Sequence, residues 1–319
     1  MAFAIMCSGG DAPGMNPAIK KFVDYVYKKG DIPYLIYDGL EGLIDKKIKR
    51  ATHSDVSGIL HNGGTMIRSS RSKRFFEHSY RMQAYYNLRE FGITKLVVLG
   101  GDGSFRAMEK CSSEFDINFV GIPSTIDNDI YGTDYCLGVD TALNVIRDAL
   151  DKIRDTASSF NRAFLVEVMG RDCGYLAIVS AMISGAEICV IPEAPSISDS
   201  LAKRLQKEVK EGRNYVLAIV AEGTKKTTEV YNWLQDEIGL ETRVSILGHI
   251  QRGGNPTVFD RLMAFDFVVL AVDYLMQHSN SNKVAVYKKG EFALMEIEDV
   301  VNGKYQLPKR YFDALNLLE

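Results

Sequence analysis

The sequence has no CxxC pair and no zinc-like cysteine spacing; Cys7, Cys111, Cys136, Cys173 and Cys189 stand apart. No disulfide framework is implied, and a reduced, cytoplasmic protein is the expectation. An excess of one charge is missing too. The formal net charge of −3 over 319 residues gives no ground for a nucleic-acid surface. Runs long enough to span a membrane are also lacking. Met1-Ala2-Phe3-Ala4-Ile5-Met6 is short and has no basic lead, so it reads as a strand and not a signal peptide. Leu176 to Ile191 is broken by Gly185 and Glu187 and reads as a buried helix followed by a strand. Without low-complexity tracts, internal repeats or flexible linkers, a chain of this length is expected to form two α/β lobes. They should be tightly joined, with the chain crossing between them more than once.

What the sequence does contain is a recurring order of apolar strand, glycine loop and helix. Phe3 to Cys7 runs into Ser8-Gly9-Gly10-Asp11-Ala12-Pro13-Gly14. The helix expected from about Met15 buries Ala18, Ile19, Phe22, Val23 and Val26, with Asn16 as its cap and Pro17 in its first turn. Backbone N–H groups of Gly9 and Gly10 can approach a phosphate because no Cβ intervenes. The loop lacks the Walker lysine and the G-x-G-x-x-G spacing, so a tight packing turn stays open as an alternative. Ile32 to Tyr37 reads as a strand, Glu41 to Arg50 as a charged connector, and Val56 to Leu60 as a short helix. Arg68-Ser69-Ser70-Arg71-Ser72-Lys73-Arg74 is either a polyphosphate-binding loop or an exposed basic one.

A helix over Gln83 to Phe91 precedes the doubly buried strand Lys95 to Leu99, which feeds Gly100-Gly101-Asp102-Gly103-Ser104 and a helix from about Phe105. Asp102 among glycines can hold Mg²⁺ through waters while neighbouring amides hold phosphates. The next strand, Asn118 to Pro123, ends in the hexad Ser124-Thr125-Ile126-Asp127-Asn128-Asp129. At a strand's carboxyl end, where open α/β sheets keep their ligands, an extended loop would point Thr125, Asp127 and Asp129 the same way. Two carboxylates and a hydroxyl suit a metal, or a hydroxyl that must lose a proton. The same residue types also make ordinary turns.

Beyond the hexad, a long amphipathic helix buries Leu143, Ile146, Leu150, Ile153 and Ala157. Asn161-Arg162 precede the strand Ala163 to Val168, which ends in Met169-Gly170-Arg171-Asp172. Tyr215 to Val220 ends in Ala221-Glu222-Gly223. Thr242 to Leu247, with Arg243 inside it, ends in Gly248-His249-Ile250-Gln251-Arg252-Gly253-Gly254. An arginine within a strand is costly unless paired or at an interface. A lone histidine such as His249 is more often a satisfied structural one. Phe259 to Met276 reads as the last long helix.

Taken together and in this order, SGGDAPGMN, GGDGS, TIDND, VEVMGRDCG, AEG and GHIQRGG resemble the bacterial ATP-dependent 6-phosphofructokinase family over nearly the whole chain. The resemblance implies an α/β, phosphofructokinase-type fold: two Rossmann-like three-layer lobes with the active site in the cleft between them. Residues 1–138 plus 251–300 would be the ATP-binding lobe, and 139–250 plus 301–319 the fructose 6-phosphate-binding lobe. The implied reaction is ATP-dependent, Mg²⁺-assisted phosphorylation of the sugar's 1-hydroxyl, the committed step of glycolysis. By this resemblance Gly10, Arg71, Ser72 and Gly101 to Ser104, with Gly103 among them, line the nucleotide site, and Asp102 is at the metal. Asp127 is the implied general base, with Thr125 and Asp129 beside it. Arg171 would face the transferring phosphoryl, Met169, Gly170 and Glu222 the sugar ring, and His249 and Arg252 the 6-phosphate. Arg162 and Arg243 match residues that reach the neighbouring subunit's sugar phosphate, which implies a homotetramer with shared active sites.

The chain departs from the family in places. Ser124 stands at a usual glycine, Cys7 at a usual threonine and Ser72 at a usual aromatic. Pyrophosphate-dependent relatives place lysine at position 124 and aspartate at 103, so Ser124 and Gly103 favour ATP as donor over pyrophosphate. At the effector site for ADP or phosphoenolpyruvate, Arg154, Gly185, Glu187 and Arg213 persist. Lys20, Asp24, His53, Gly58, Glu211 and Tyr215, however, replace Arg, Arg, Arg, Asp, Lys and His of a regulated relative. Negative charge at Asp24 and Glu211 should repel an anionic effector, so weak or absent control by those ligands is expected. A dinucleotide oxidoreductase would want G-x-G-x-x-G and an acid some twenty residues on, which neither glycine loop supplies. A catalytically silent sugar-phosphate sensor would tolerate loss of Asp102 or Asp127, yet both are present.

Overall fold

Apolar runs too short for helices alternate along this chain with amphipathic segments, and they become strands buried on both faces. The computed structural model describes all residues except 158, 160, 161, 280, 281 and 319, so Asn161 lies outside the described residues. Two compact units form, one from Met1–Thr141 with Arg252–Tyr305, the other from Ala142–Gln251 with Gln306–Glu319.

In the first unit β1 (Ala2–Cys7), α1 (Met15–Lys28), β2 (Ile32–Ile36), α2 (Gly39–Ile44) and β3 (Ile48–Arg50) follow one another. Then come α3 (His78–Glu90), β4 (Ile93–Gly100), α4 (Asp102–Glu114) and β5 (Asn118–Pro123). α5 (Val139–Ala157) carries the chain into the second unit, which holds β6 (Ala163–Val168), α6 (Tyr175–Ser184), β7 (Ile188–Val190), α7 (Asp199–Lys210), β8 (Val216–Ala221), α8 (Thr227–Trp233) and β9 (Thr242–Ile246). α9 (Val258–Gln277), β10 (Lys283–Lys288), β11 (Glu291–Glu296) and α10 (Ile297–Asn302) return to the first unit, and α11 (Lys309–Leu318) ends in the second.

The first unit's seven strands run in the order β11-β10-β5-β4-β1-β2-β3. Only the edge strands β3 and β11 are antiparallel to their neighbours. The order reverses between β1 and β4, because the chain steps from β1 to β2 on one side and from β4 to β5 on the other. Right-handed crossovers therefore send α1 and α4 to opposite faces and open a crevice at the carboxyl ends of β1 and β4. α1 packs with α9, while α4 packs with α10 and joins α3 through an Arg81–Glu114 ion pair of 2.6 Å. The second unit is a four-stranded parallel sheet in the order β7-β8-β6-β9. Leu165, Val190, Leu205, Ala218 and Leu234 are among the residues of its core.

Several expectations fail locally. Asn16 is not a cap, since it lies inside helix α1, which starts at Met15 with Gly14 in the cap position. Its buried amide instead donates to the carbonyls of Asn62 (3.2 Å) and Gly63 (3.0 Å) and accepts the Met66 N–H (2.7 Å). The 41–50 stretch is α2 and an edge strand rather than a connector, and 56–60 is a series of turns with no helix. α3 begins at His78, five residues before the expected start. The seams fall at 141/142, 251/252 and 305/306. Residues 139–141 stay with the first unit because the buried Asp260 carboxylate accepts the N–H groups of Gly138 and Thr141, each at 2.8 Å. The five cysteines are free, and among the described residues no helix is long and apolar enough to cross a membrane.

Candidate active site

Three loops of the first unit share one rim because β5, β4 and β1 lie side by side in parallel. Ser124 donates its N–H to the Gly100 carbonyl, and Ser8 donates its N–H to that of Leu99, both at 2.8 Å. The Ser104 hydroxyl donates to Ser8 Oγ at 2.9 Å, in a buried bond that joins the two glycine loops. A Cβ on Gly100 would press on Ser104 Cβ at 2.7 Å and the Ser8 carbonyl at 2.9 Å, so this glycine serves the joint itself. Gly101 and Gly103 differ. A Cβ on Gly103 would meet nothing within 4 Å, and one on Gly101 would only touch Thr125 Cβ at 3.6 Å. Bare backbone thus opens onto space at the start of α4, where the first N–H groups have no partner inside the helix and the helix dipole favours an anion.

The basic 68–74 loop closes the other side of the first glycine loop. The Ser69 hydroxyl donates to the Gly9 carbonyl (2.8 Å), and the Gly9 N–H donates to that of Ser70 (3.2 Å). Two of the loop's cations are spoken for: Arg74 binds Glu41 and Asp45, and Arg68 lies 3.6 Å from Asp38. Arg71 is exposed, and half-buried Ser72 accepts the Phe75 N–H at 3.1 Å and bonds Glu41. Gly10 lies against Arg252, whose Nη1 donates to the Asp11 carbonyl at 3.1 Å and would be 2.5 Å from a Cβ on Gly10.

The hexad is not extended throughout, because it turns at Ile126–Asp127 and Asn128 has a left-handed φ of 53°. The alternation survives nonetheless. Ile126, Asn128 and Ile130 are buried, whereas Thr125, Asp127 and Asp129 are only partly so. Burial first, and then the Asp127 charge, push the Asp129 carboxyl up to about 6. Asp102 adds to that push, and the Thr125 hydroxyl and the loop backbone hold it back. Asp127 and Asp102 therefore both lie within electrostatic reach of Asp129. Asp102 is half-buried and pairs with Arg106 Nε at 2.8 Å, one turn along α4. Among the described residues no group of three metal-ligating side chains forms a ready cage. A single carboxylate such as Asp102 would suit Mg²⁺, which keeps most of its waters and takes one or two carboxylates plus phosphate oxygens.

In the second unit the carboxyl ends of β6, β8 and β9 are likewise adjacent. Gly223 donates its N–H to the Gly170 carbonyl (3.0 Å), and a Cβ on Gly223 would collide with the Arg171 carbonyl at 1.7 Å. Gly170, with φ of +130°, makes the sharp bend that leaves the Arg171 side chain exposed. Buried Gln251 accepts the Met169 N–H (3.0 Å) and donates to the Gly248 carbonyl (2.9 Å). Met169, Gly170, Arg171, Glu222 and His249 are thereby grouped, and His249 is exposed rather than a satisfied core histidine. Arg162 and Arg243 both bind Glu241, the former at 2.8 Å. Arg243 is tolerated in a strand because β9 is an edge and its side chain is 54% exposed.

The residues expected at an effector site fall into two groups. In the second unit Arg154 reaches the Ser184 carbonyl and the Tyr215 hydroxyl, packs near Gly185, and neighbours the Glu187–Arg213 ion pair of 2.6 Å. In the first, Asp24 binds Lys20 (2.6 Å) and His53 (2.8 Å). Ser8, Asn128 and Gln251, which hold these loops together, escaped the sequence reading. Each is a buried polar side chain; Ser8 bonds Ser104 and Gln251 bonds Met169, both remote in sequence, and Asn128 bonds Asp134 and Cys136 across the following loop, so no local spacing marks any of them.

The phosphofructokinase family model matches residues 2–275. The ATP-dependent 6-phosphofructokinase of Sulfurovum sp. is 57% identical over 95% of this chain and 93% of its own. That of Wolinella succinogenes is 54% identical over 97% and 96%. Among solved structures, the phosphofructokinase of Pichia pastoris in the T-state superposes with a TM-score of 0.89 at 35% identity. It covers 99% of this chain, which spans 36% of that longer one. A match running from β1 through α9, in a chain that sets its bare glycines and acids on one rim, makes this protein a member of the phosphofructokinase family.

Proposed function

We propose that the chain transfers the γ-phosphoryl of ATP to the 1-hydroxyl of fructose 6-phosphate, giving fructose 1,6-bisphosphate and ADP. The observation that carries this reading is that Asp127 and Asp102 both act on Asp129, in a loop whose Thr125 borders Gly101, while Gly103 is unobstructed. Acids for a metal and for a proton stand beside a cradle for phosphate. Phosphoryl transfer asks mainly for positioning and charge stabilisation, so no covalent nucleophile is needed.

In this reading the first unit binds ATP, with Gly10, Arg71, Ser72, Gly101, Gly103 and Ser104 along the nucleotide. Asp102 would hold Mg²⁺, which when bound neutralises charge on the phosphate oxygens. The second unit binds the sugar phosphate, with Met169, Gly170 and Glu222 at the ring and His249 at the 6-phosphate, where Arg252 joins it. Asp127 takes the proton of the 1-hydroxyl as the new O–P bond forms, while the bond to the ADP oxygen breaks. A carboxylate suffices as base because that proton is lost only as the bond forms. Thr125 and Asp129 keep the base in place, and Arg171 faces the charge that builds on the transferring phosphoryl. Arg243 on edge strand β9 and Arg162, both bound to Glu241, suit contact with a neighbouring subunit's sugar phosphate in a homotetramer. A cytoplasmic setting accords with five free cysteines.

Pyrophosphate is the rival donor. The empty space over Gly103 and a small, buried Ser124, whose hydroxyl donates to the Ile122 carbonyl at 3.2 Å, leave room for the nucleotide's inner phosphates. A coupled assay with fructose 6-phosphate and either donor tests the reading. Turnover is expected with ATP, and equal or faster turnover with pyrophosphate would overturn it.

A further inference from the structure

We infer that Asn128 is the positioning residue for the reacting carboxylate of Asp127, acting as a rigid peg that ties the hexad to the neighbouring 134–138 segment. This rests on the phosphofructokinase reading above. Asn128 is completely buried, and its φ of 53° lies in a region that few residues besides glycine and asparagine adopt readily. Its amide makes two bonds, Nδ2 donating to the Asp134 carbonyl at 3.0 Å and Oδ1 accepting the Cys136 N–H at 2.8 Å. No apolar side chain would reproduce them, and the buried Cys136 N–H and the partly buried Asp134 carbonyl would both lose the bond.

The far end of this tether is itself fixed. The Asp134 N–H donates to the Tyr287 carbonyl (2.7 Å), and the Tyr287 N–H donates to Thr133 Oγ1 (3.0 Å), which fastens the turn to β10. The Leu137 N–H donates to the Pro123 carbonyl at the end of β5 (2.9 Å), and the Gly138 N–H donates to buried Asp260 (2.8 Å). Asp127 therefore stands one residue from a peg anchored to two strands and a helix. Ile126 and Ile130, each 1% exposed, pin the loop on either side but supply no direction. The direction matters because Asp127 and Asp129 carry like charges close together, and their repulsion works to spread the loop. A tether that resists spreading keeps the base where a hydroxyl can meet it, and displacements of about 1 Å from a reactive geometry can cost on the order of 100-fold in rate.

Asn128→Gly separates the tether from the backbone conformation, since glycine keeps the left-handed φ and loses both bonds. Its kcat, counted per nucleotide-binding site titrated on the same sample, is expected to fall roughly 10–100-fold. KM for both substrates should stay within about twofold, because the bare backbone at 101–103 and the sugar-binding loops are untouched. Asn128→Ala, which loses the bonds and also strains φ, should be at least as slow. Counting per binding site removes any unfolded fraction, so a merely structural role would leave kcat as it is in the wild type. A wild-type kcat in Asn128→Gly, or a loss carried wholly by KM, would overturn the inference. An inactive wild type would instead overturn the proposed reaction.

Discussion

Gly103 has neither a positive φ nor any neighbour that a methyl group would touch, so the fold itself does not ask for glycine there. In the first turn of a helix, glycine is a poor choice by intrinsic propensity. What it leaves room for must come from outside the chain. Gly103→Asp is accordingly expected to fold with an unchanged unfolding midpoint while ATP-dependent turnover drops at least ~10-fold, since a carboxylate would stand against phosphate charge. Unchanged turnover in the coupled assay would count against the cradle. At this scale the sequence reveals the residues that face a ligand better than those that support them. Thr125, Asp127 and Asp129 are readable from their alternate spacing. Asn16 and Asn128 are misread or passed over, because a buried amide's purpose lies in partners tens of residues away or in a backbone angle that composition does not show.

Among elements, the doubly buried strands β1, β4, β5, β6 and β8 are the most legible, since they appear as largely apolar runs whose loops follow directly. The 41–60 region is not legible. β3 carries lysine and arginine because it is an edge strand, exposed on its outer side, and its pairing with β2 compensates for the charged composition. The start of α3 is hidden for a similar reason. Its Arg81, only 4% exposed, donates to the Phe75 (2.9 Å) and Phe76 (2.6 Å) carbonyls and to Glu114 of α4, a reason for burying arginine that lies in another helix. Hydrogen bonds from Arg81, helped by His78, hold the Glu114 carboxyl down to about 2 from 4.5. A depressed carboxyl stabilises the fold fully above its unfolded value, so this contribution is complete above about pH 4.5 and is lost as pH falls towards 2. Glu114→Gln should lower the thermal midpoint at pH 7 by roughly 4–8 °C, from about 2 kcal/mol of charged hydrogen bonding. That deficit should shrink in melts recorded at progressively lower pH, and a constant one would show that the pair's charge is irrelevant.

At the scale of the whole molecule, local pattern suggests two α/β lobes, but only the order of the motifs along the chain shows which activity they combine to serve. The same order brings the effector positions into question. Asp24 engages both Lys20 and His53, leaving little free positive charge on that face for an anion. Phosphoenolpyruvate at millimolar concentration is expected to inhibit weakly or not at all, and ADP to activate little. Strong inhibition by phosphoenolpyruvate that ADP relieves would contradict this. The central claim is that one carboxylate, Asp127, removes the proton of the accepting hydroxyl. The most direct test compares wild type with Asp127→Ser in ATP-dependent phosphorylation of fructose 6-phosphate, alongside sugar-phosphate binding to the free enzyme. The account predicts a rate loss of roughly 10²–10⁴-fold, the usual share of a positioned base, with binding largely kept. A variant that turns over like the wild type would contradict it.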